Sequence, residues 1–543
     1  MNEFQLQLAL VFIASFLTAV VLTPIVRALA IRFNVVDRPD GRRKLHGGVI
    51  ARAGGTAVLF SVLSVCAVAA FRVDFSLMTP SSVLPYVALL MAMIGMWLLG
   101  LADDVWTLRG RQKLIGQLLL AVLLVTCGFQ MHSVQLFGSN YDLGPLGFVV
   151  SVFWLLATTN ALNLIDGADG FCSTLGAVIC GSLGILASFN GHYAEAAIAF
   201  AFSGALLGFL VFNFPPASIF LGDSGSLLVG MVAGALALRC SLKGTASVAF
   251  LAPLAILSLP LLDSCMAIVR RKLTGRSIYT TDRAHLHHTL RNKGLGDRSL
   301  LLVVMVLSLI TAAGAIVGQL LGREWLAPIS VGVVFGMLVV TKAFGYAEVV
   351  LMARRGSHFA ASFFEPVSLP NTSVRQRAVH LQGTRQWETV WQTLTEFAEA
   401  EGLCKVHMDL NVPWLEEGFH GTWQRCKMPD RLDCWNTGLP IQVSQRLAGR
   451  INIVGLASHG QSLATLSKFV LLVEDLIPQI ELLLATNIIV SDDPSVTAET
   501  DQGGVSTADA STSVLSTSGR ARENLHRDGQ SASESSAAFS TSR

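Results

Sequence analysis

Val83–Asp104, VLPYVALLMAMIGMWLLGLADD, is the run on which the reading of this chain turns. Its first twenty residues carry no charge, and it ends on two adjacent aspartates. A helix of about 20 residues rises roughly 30 Å, the thickness of a bilayer's hydrocarbon core. The run therefore reads as a membrane span that delivers two acids to the interface. Outward from it the pattern repeats, with eleven candidate spans starting near residues 5, 54, 83, 113, 146, 173, 194, 219, 247, 299 and 326. Open sheets leave backbone groups unsatisfied in lipid, so this part is expected to be all helical. Only 14% of the 543 residues are charged while 52% are hydrophobic, too little charge to cover a soluble surface of this size. The first run lacks a basic leader and a small-residue cleavage site before Pro24, so it reads as a retained span.

Basic residues set the orientation. Arg27, Arg32, Arg38, Arg42, Arg43, Lys44 and Arg52 fall between the first two spans, and Arg109, Arg111 and Lys113 follow the third. Arg270, Arg271, Lys272, Arg276, Arg283, Arg291, Lys293 and Arg298 follow the ninth, whereas the alternate loops hold only Arg72, Arg239, Lys243 and Arg323. By the positive-inside rule the motif-bearing loops and the C-terminus are expected in the cytoplasm, at the inner (cytoplasmic) membrane. Residues 1–350 read as the membrane domain and 356–487 as a small cytosolic α+β domain. The latter has a helical signal over Arg385–Glu401, alternating stretches at Lys405–Leu410 and Gly449–Val454, and an amphipathic helix over Leu463–Leu484. Residues 488–543 are a Ser/Thr-rich tail expected to be disordered. Nine cysteines stand singly, which fits reduced thiols rather than a disulfide framework.

Each loop assigned to the cytoplasm carries a polar motif. The first holds Arg43-Lys44-Leu-His46, followed by Arg52 and Gly54-Gly55, and the second Asp103-Asp104 with Lys113 nine residues on. The third reads Asn160-Ala-Leu-Asn163-Leu-Ile-Asp166-Gly-Ala-Asp169-Gly170, and the fourth Gly222-Asp223-Ser-Gly225-Ser226. The fifth gives Asp263, then Arg270-Arg271, then Asp282-Arg283-Ala-His285-Leu-His287-His288. Carboxylates converging on one interface repel unless a cation joins them, and hard oxygen ligands favour Mg²⁺, with Mn²⁺ next. The neighbouring Arg, Lys and His then suit phosphate oxygens, and acids for a metal beside bases for anions describe phosphoryl transfer. Adjacent helical residues point about 100° apart, so Asp103 and Asp104 are not expected to face one ion together. Asp166 and Asp169 are expected to share a face, as are Asp263 and Arg270 two turns apart.

Taken singly, these motifs have plain structural readings. The Asp pair suits a helix cap, the Gly-Asp-Ser-Gly stretch a turn, and the basic runs a topology signal. Their order along the chain is what resembles the polyprenyl-phosphate N-acetylhexosamine-1-phosphate transferases over roughly residues 5 to 346, in particular the WecA-like branch that makes undecaprenyl-diphospho-N-acetylglucosamine. The resemblance implies Asp223 and Asn163 as Mg²⁺ ligands, with Asp104 and Asp166 in the same metal–phosphate shell. It implies Asp103 as base or orienter of the lipid phosphate, Lys113 and His285 on phosphate, and Asp169 in the catalytic group. Arg43, Lys44, His46, Asn160, Asp263, Arg270, Arg271, Arg283, His287 and His288 are then the substrate-binding set. Ala51 departs from the family, which often has proline there, and is expected to loosen the loop.

The implied reaction passes N-acetylhexosamine 1-phosphate, with GlcNAc favoured, from a UDP-sugar to undecaprenyl or another polyprenyl phosphate. UMP leaves, and a lipid-linked cell-surface polysaccharide begins. Direct attack and a two-step aspartyl-phosphate route both stay open, as do UDP-GalNAc or UDP-MurNAc-pentapeptide donors and a homodimer. No nucleic acid is expected as a partner. A transporter would place its carboxylates near the midplane within inverted repeats. A receptor for lipid-linked sugar would release no UMP.

Overall fold

The computed structural model describes residues 3–37, 49–70, 80–137, 139–240, 242–243, 247–273, 285–346, 348–350, 352–353, 375–382, 386–412, 417–425, 433–443, 446–457 and 462–485. Arg43, Lys44, His46, Arg283 and the tail 488–543 lie outside them. The apolar runs become α1 (Glu3–Arg32), α2 (Gly54–Ala70), α3 (Pro80–Trp106), α4 (Gly110–Thr126), α5 (Leu146–Ile165), α6 (Phe171–Phe189), α7 (Tyr193–Asn213) and α8 (Gly222–Cys240). These are followed by α9 (Leu251–Ile256), α10 (Ser258–Leu273), α11 (Leu286–Asn292), α12 (Asp297–Leu320) and α13 (Leu326–Val340).

Among the described residues seven helices are long and apolar enough to cross a membrane: α1, most of α3, α5, α6, α7, α8 and α12. Gly54–Val68 of α2 and α13 are apolar but shorter. The chain is thus a multi-span membrane protein. The span expected from residue 247 is not one helix, because Ser247–Ala249 is a short strand and the helix breaks at Leu257 between α9 and α10. Pro260 accounts for the break: it has no N–H to give the carbonyl four residues back.

Helix α8 lies at the centre, with nearly all of its residues buried. Two glycines let neighbours reach its first turn. A Cβ on Gly100 of α3 would lie 2.3 Å from the Asp223 carbonyl, and one on Gly55 of α2 would lie 2.3 Å from the Gly225 nitrogen. Small strands also form at the helix ends, where the all-helical expectation had none. β1 (Val36–Asp37), β2 (Ile50–Arg52) and β5 (Ile219–Phe220) make a three-stranded ribbon with β2 in the middle. Ala51 is fully buried there, paired to Val36 and Ile219, so strand β2 is pinned at this position; the loop stretch Arg43–His46 before it lies outside the described residues. A second sheet joins β3 (Ser133–Leu136), β4 (Ser139–Asp142), β6 (Leu242–Lys243) and β7 (Ser247–Ala249).

Farther along, β8 (Arg375–Gln382), β9 (Lys405–Val412), β10 (Glu417–Gln424), β11 (Cys434–Val443) and β12 (Arg446–Leu456) form an antiparallel sheet in the order β11-β12-β9-β10-β8. Alternation puts Val406, Met408 and Leu410 on one face of β9. There they join Trp387, Trp391 and Phe469 from the helices Trp387–Ala400 and Ser462–Ala485 in a core separate from that of the spans.

Candidate active site

The site begins at the first turn of α8. Asp104, at the end of α3, is completely buried and accepts the backbone N–H groups of Asp223 (2.9 Å) and Ser224 (3.0 Å). A helix N-terminus has unpaired N–H groups and partial positive charge, so a carboxylate there is held strongly. Arg52, placed by strand β2, adds its Nε at 3.0 Å from Asp104 and reaches Asp223 at 3.4 Å. Burial opposes the charge on Arg52, but Asp104 and then Asp223 outweigh it and hold the guanidinium above its ordinary range. Gly222 has φ +74, and a Cβ there would meet Asp104 Oδ2 at 2.7 Å, so this turn needs glycine.

Asp103 turns elsewhere, as the 100° step requires. It accepts the Leu108 N–H at 2.6 Å and pairs with Lys113 at 2.9 Å. The Lys113 ammonium sits among oxygens, 3.2 Å from Asp223 Oδ1 and 3.0 Å from the Asn163 amide oxygen. Asn163 also donates to Asp223 and, at 2.9 Å, to Ser226. Helices α3, α5 and α8 thus bring two carboxylates and one amide around the Lys113 ammonium of α4. Two carboxylates and an amide are hard oxygen donors of the kind that suit a magnesium-sized cation.

The loop after α5 links this cluster to a second one. Asp166 ends α5, and desolvation, then Asp223 and Asp104, push its carboxyl up to about 8 against Arg52 and Lys113. Asp169 does not share its face. The chain leaves the helix at Ile165, Gly170 takes φ +71, and Asp169 instead accepts the Ala217 N–H at 2.9 Å. The adjacent Gly167 lies under His287, where a Cβ would come within 2.9 Å of Nε2. His287 is 3% exposed, its ring edge-on to Phe171 at 5.5 Å, parallel to His285 at 6.1 Å and 4.2 Å from His288. Desolvation, then His288 and His285, lower its imidazole to about 2, so it stays neutral. Neither ring nitrogen has a hydrogen-bond partner among the described residues.

Asp263, in α10, is bound to His285 Nδ1 (2.8 Å) and to the Leu286 N–H (2.8 Å) at the start of α11. Arg270 lies on the same continuous helix two turns on, as expected, but its partner is different: it is buried in an ion pair with Glu348. Arg271 beside it is half-buried. Asn160, one turn before Asn163, donates to Gln117 at 2.8 Å rather than joining the oxygen cluster. Arg52, Ser226, Gln117 and Glu348 were not among the expected site residues. Arg52 had a signal, since it directly precedes the glycines that meet α8. Glu348 had none, because its partner is 78 residues away.

Carboxylates, an amide and cations gathered at one end of membrane-spanning helices define a class of protein that handles phosphate groups at the lipid–water boundary. The family model described as Glycosyl transferase family 4 matches residues 86–241, which include both aspartate motifs and the Asn163–Asp223 pair. A Bacillus subtilis protein named probable undecaprenyl-phosphate N-acetylglucosaminyl 1-phosphate transferase is 32% identical over 319 residues, covering 58% of this chain and 86% of the relative. The decaprenyl-phosphate N-acetylglucosaminephosphotransferase of Mycolicibacterium smegmatis is 34% identical, covering 57% and 81%. A phospho-N-acetylmuramoyl-pentapeptide-transferase of Bacillus pumilus is 30% identical, covering 51% and 87%. The chain belongs to the polyprenyl-phosphate N-acetylhexosamine-1-phosphate transferases within Glycosyl transferase family 4.

Proposed function

We propose that this chain transfers GlcNAc 1-phosphate from UDP-GlcNAc to undecaprenyl or another polyprenyl phosphate, releasing UMP. The observation that carries the reading is the convergence of Asp103, Asn163 and Asp223 on the Lys113 ammonium, at the helix ends that also hold Asp104 and Asp166. Asp223 and Asn163 supply oxygens for Mg²⁺. When bound, the ion neutralises charge on the donor's diphosphate. Lys113, paired with Asp103 and Asp223, is placed to bind a phosphate oxygen of the donor. A lipid-phosphate oxygen attacks the sugar-linked phosphorus, the new P–O bond forms as the bond to UMP breaks, and Arg52 and Lys113 stabilise the developing negative charge.

The eleven apolar runs, including the broken α9–α10 pair, cross the inner membrane with the site and the C-terminal sheet on the cytoplasmic side, where the Lys and Arg excess lies. GlcNAc is favoured over a muramoyl-pentapeptide by the Asp282-Arg283-x-His285-x-His287-His288 form and by the names of the B. subtilis and M. smegmatis relatives. The test is purified protein in detergent with undecaprenyl phosphate, Mg²⁺ and a panel of UDP-sugars, read by UMP release and by mass spectrometry of the lipid. UDP-GlcNAc should give the product and EDTA should abolish it. No UMP from any donor sinks the reading.

A further inference from the structure

Asp263 is buried almost as fully as Asp104, 1% exposed, and both its oxygens are engaged. One oxygen accepts the first free N–H of α11 and fixes where that helix starts. The other faces His285 Nδ1 at 2.8 Å. A carboxylate accepts only, so the Nδ1 position carries the proton, and Nε2 is the nitrogen left on the opposite edge of the ring. His285 in turn stacks on His287, which rests on Gly167, and Gly167 follows the acid that feels Asp223 and Lys113. The dyad is therefore joined through packed groups to the oxygen cluster.

We propose that Asp263 is a positioning residue for the transfer reaction: it fixes the His285 ring through Nδ1, presents Nε2 to the diphosphate of the nucleotide-sugar, and balances the imidazolium formed when Nε2–H bonds a phosphate oxygen. The proton comes from solvent as the donor binds, and no covalent bond changes at either residue. This rests on the proposed function for the identity of the anion. A buried carboxylate with a histidine as partner sets ring orientation in many sites, and losing such a partner costs about 10- to 100-fold in metal sites.

The test is a double-mutant cycle on the full chain in detergent, with kcat and KM for UDP-GlcNAc measured alongside the melting temperature. Asp263→Asn should lower kcat/KM by about 10- to 100-fold. In a His285→Asn background the same change should alter it less than about threefold, because the residue acts through the histidine. Losses that multiply in the double variant, or wild-type kcat/KM in Asp263→Asn, would overturn the inference. If Asp263→Asn does not fold, the cycle is run with Asp263→Glu, which keeps the charge and displaces it: a loss that vanishes in His285→Asn supports the inference, and anything else overturns it. Wild-type protein that releases no UMP points instead to a failure of the functional reading.

Discussion

Asp104→Asn separates two uses of an acid at the end of α3. The wild-type carboxylate is fully buried and holds two backbone N–H groups of α8, at 2.9 and 3.0 Å, together with Arg52 Nε at 3.0 Å. Asparagine has the same outline but one acceptor oxygen, so its amide N–H₂ must face either the Ser224 N–H or the Asp223 N–H together with Arg52. Hydrogen bonds to charged groups are worth about 1.5–3 kcal/mol each, and an N-cap about 1 kcal/mol. Losing one contact and the charge behind the others should cost roughly 3–5 kcal/mol, the range for removing one partner of a buried pair. Asp223→Asn is the contrast. Its side chain is 18% exposed, and neutralising it gives up ion pairs with Lys113 and Arg52 while relieving repulsion from Asp104 and Asp166, so the fold should lose about 1–2 kcal/mol, less than for Asp104→Asn. UMP release should nevertheless fall by about 10²–10³-fold, the size of losing one preorganised electrostatic group. Thermal unfolding in detergent, run beside the UMP assay, reads both. The cap argument fails if Asp104→Asn melts within about 1 °C of wild type, or if Asp223→Asn melts as low as Asp104→Asn.

Gly167→Ala puts a methyl 2.9 Å from His287 Nε2, and that ring is held by Phe171 and His288, so it cannot swing clear. Overpacking should cost about 1–3 kcal/mol and displace the histidine array, seen as lost UMP release with helical circular dichroism retained. Full activity would show the array to be soft. Glu348→Gln removes the charge from a buried ion pair with Arg270, both residues near 5% exposure, and should destabilise by at least about 1 kcal/mol in a thermal melt. An unchanged melt would mean the pair contributes nothing. Desolvation, and next His420, hold His407 of β9 below its ordinary value of 6.5. The unfolded chain then binds this proton more readily, so the sheet should lose stability as pH falls below 6.5. Hydrogen exchange of β9 and β10 in the full chain, corrected for intrinsic rates, should quicken from pH 7 to 5. A His407→Gln variant should show a flatter response, and equal pH dependence in both would refute the assignment.

Most helix starts, the motif order and the family were legible in the sequence, while the run from residue 247 gave no sign of its strand and its broken helix. A charge-free run such as Val83–Ala102 can only be helical in lipid, and the starts of α2, α5 and α13 fall where the apolar runs begin. Of the C-terminal sheet only part was legible: period-two alternation marks β9 and β12 and a 3.6-residue stripe marks the helix Ser462–Ala485, whereas β8, β10 and β11 carried no reading of their own. Partner choice was not. Asp104 reads as a shell acid until α8 arrives 119 residues later with two unpaired N–H groups, and Asp169 reads as a companion to Asp166 until the turn at Gly170 sends it to Ala217. Arg270 is taken up by Glu348, and Asp263 is given to His285. Spacing along a helix fixes which way a side chain leaves the backbone, but what it meets there is supplied by other helices, and only packing brings those together.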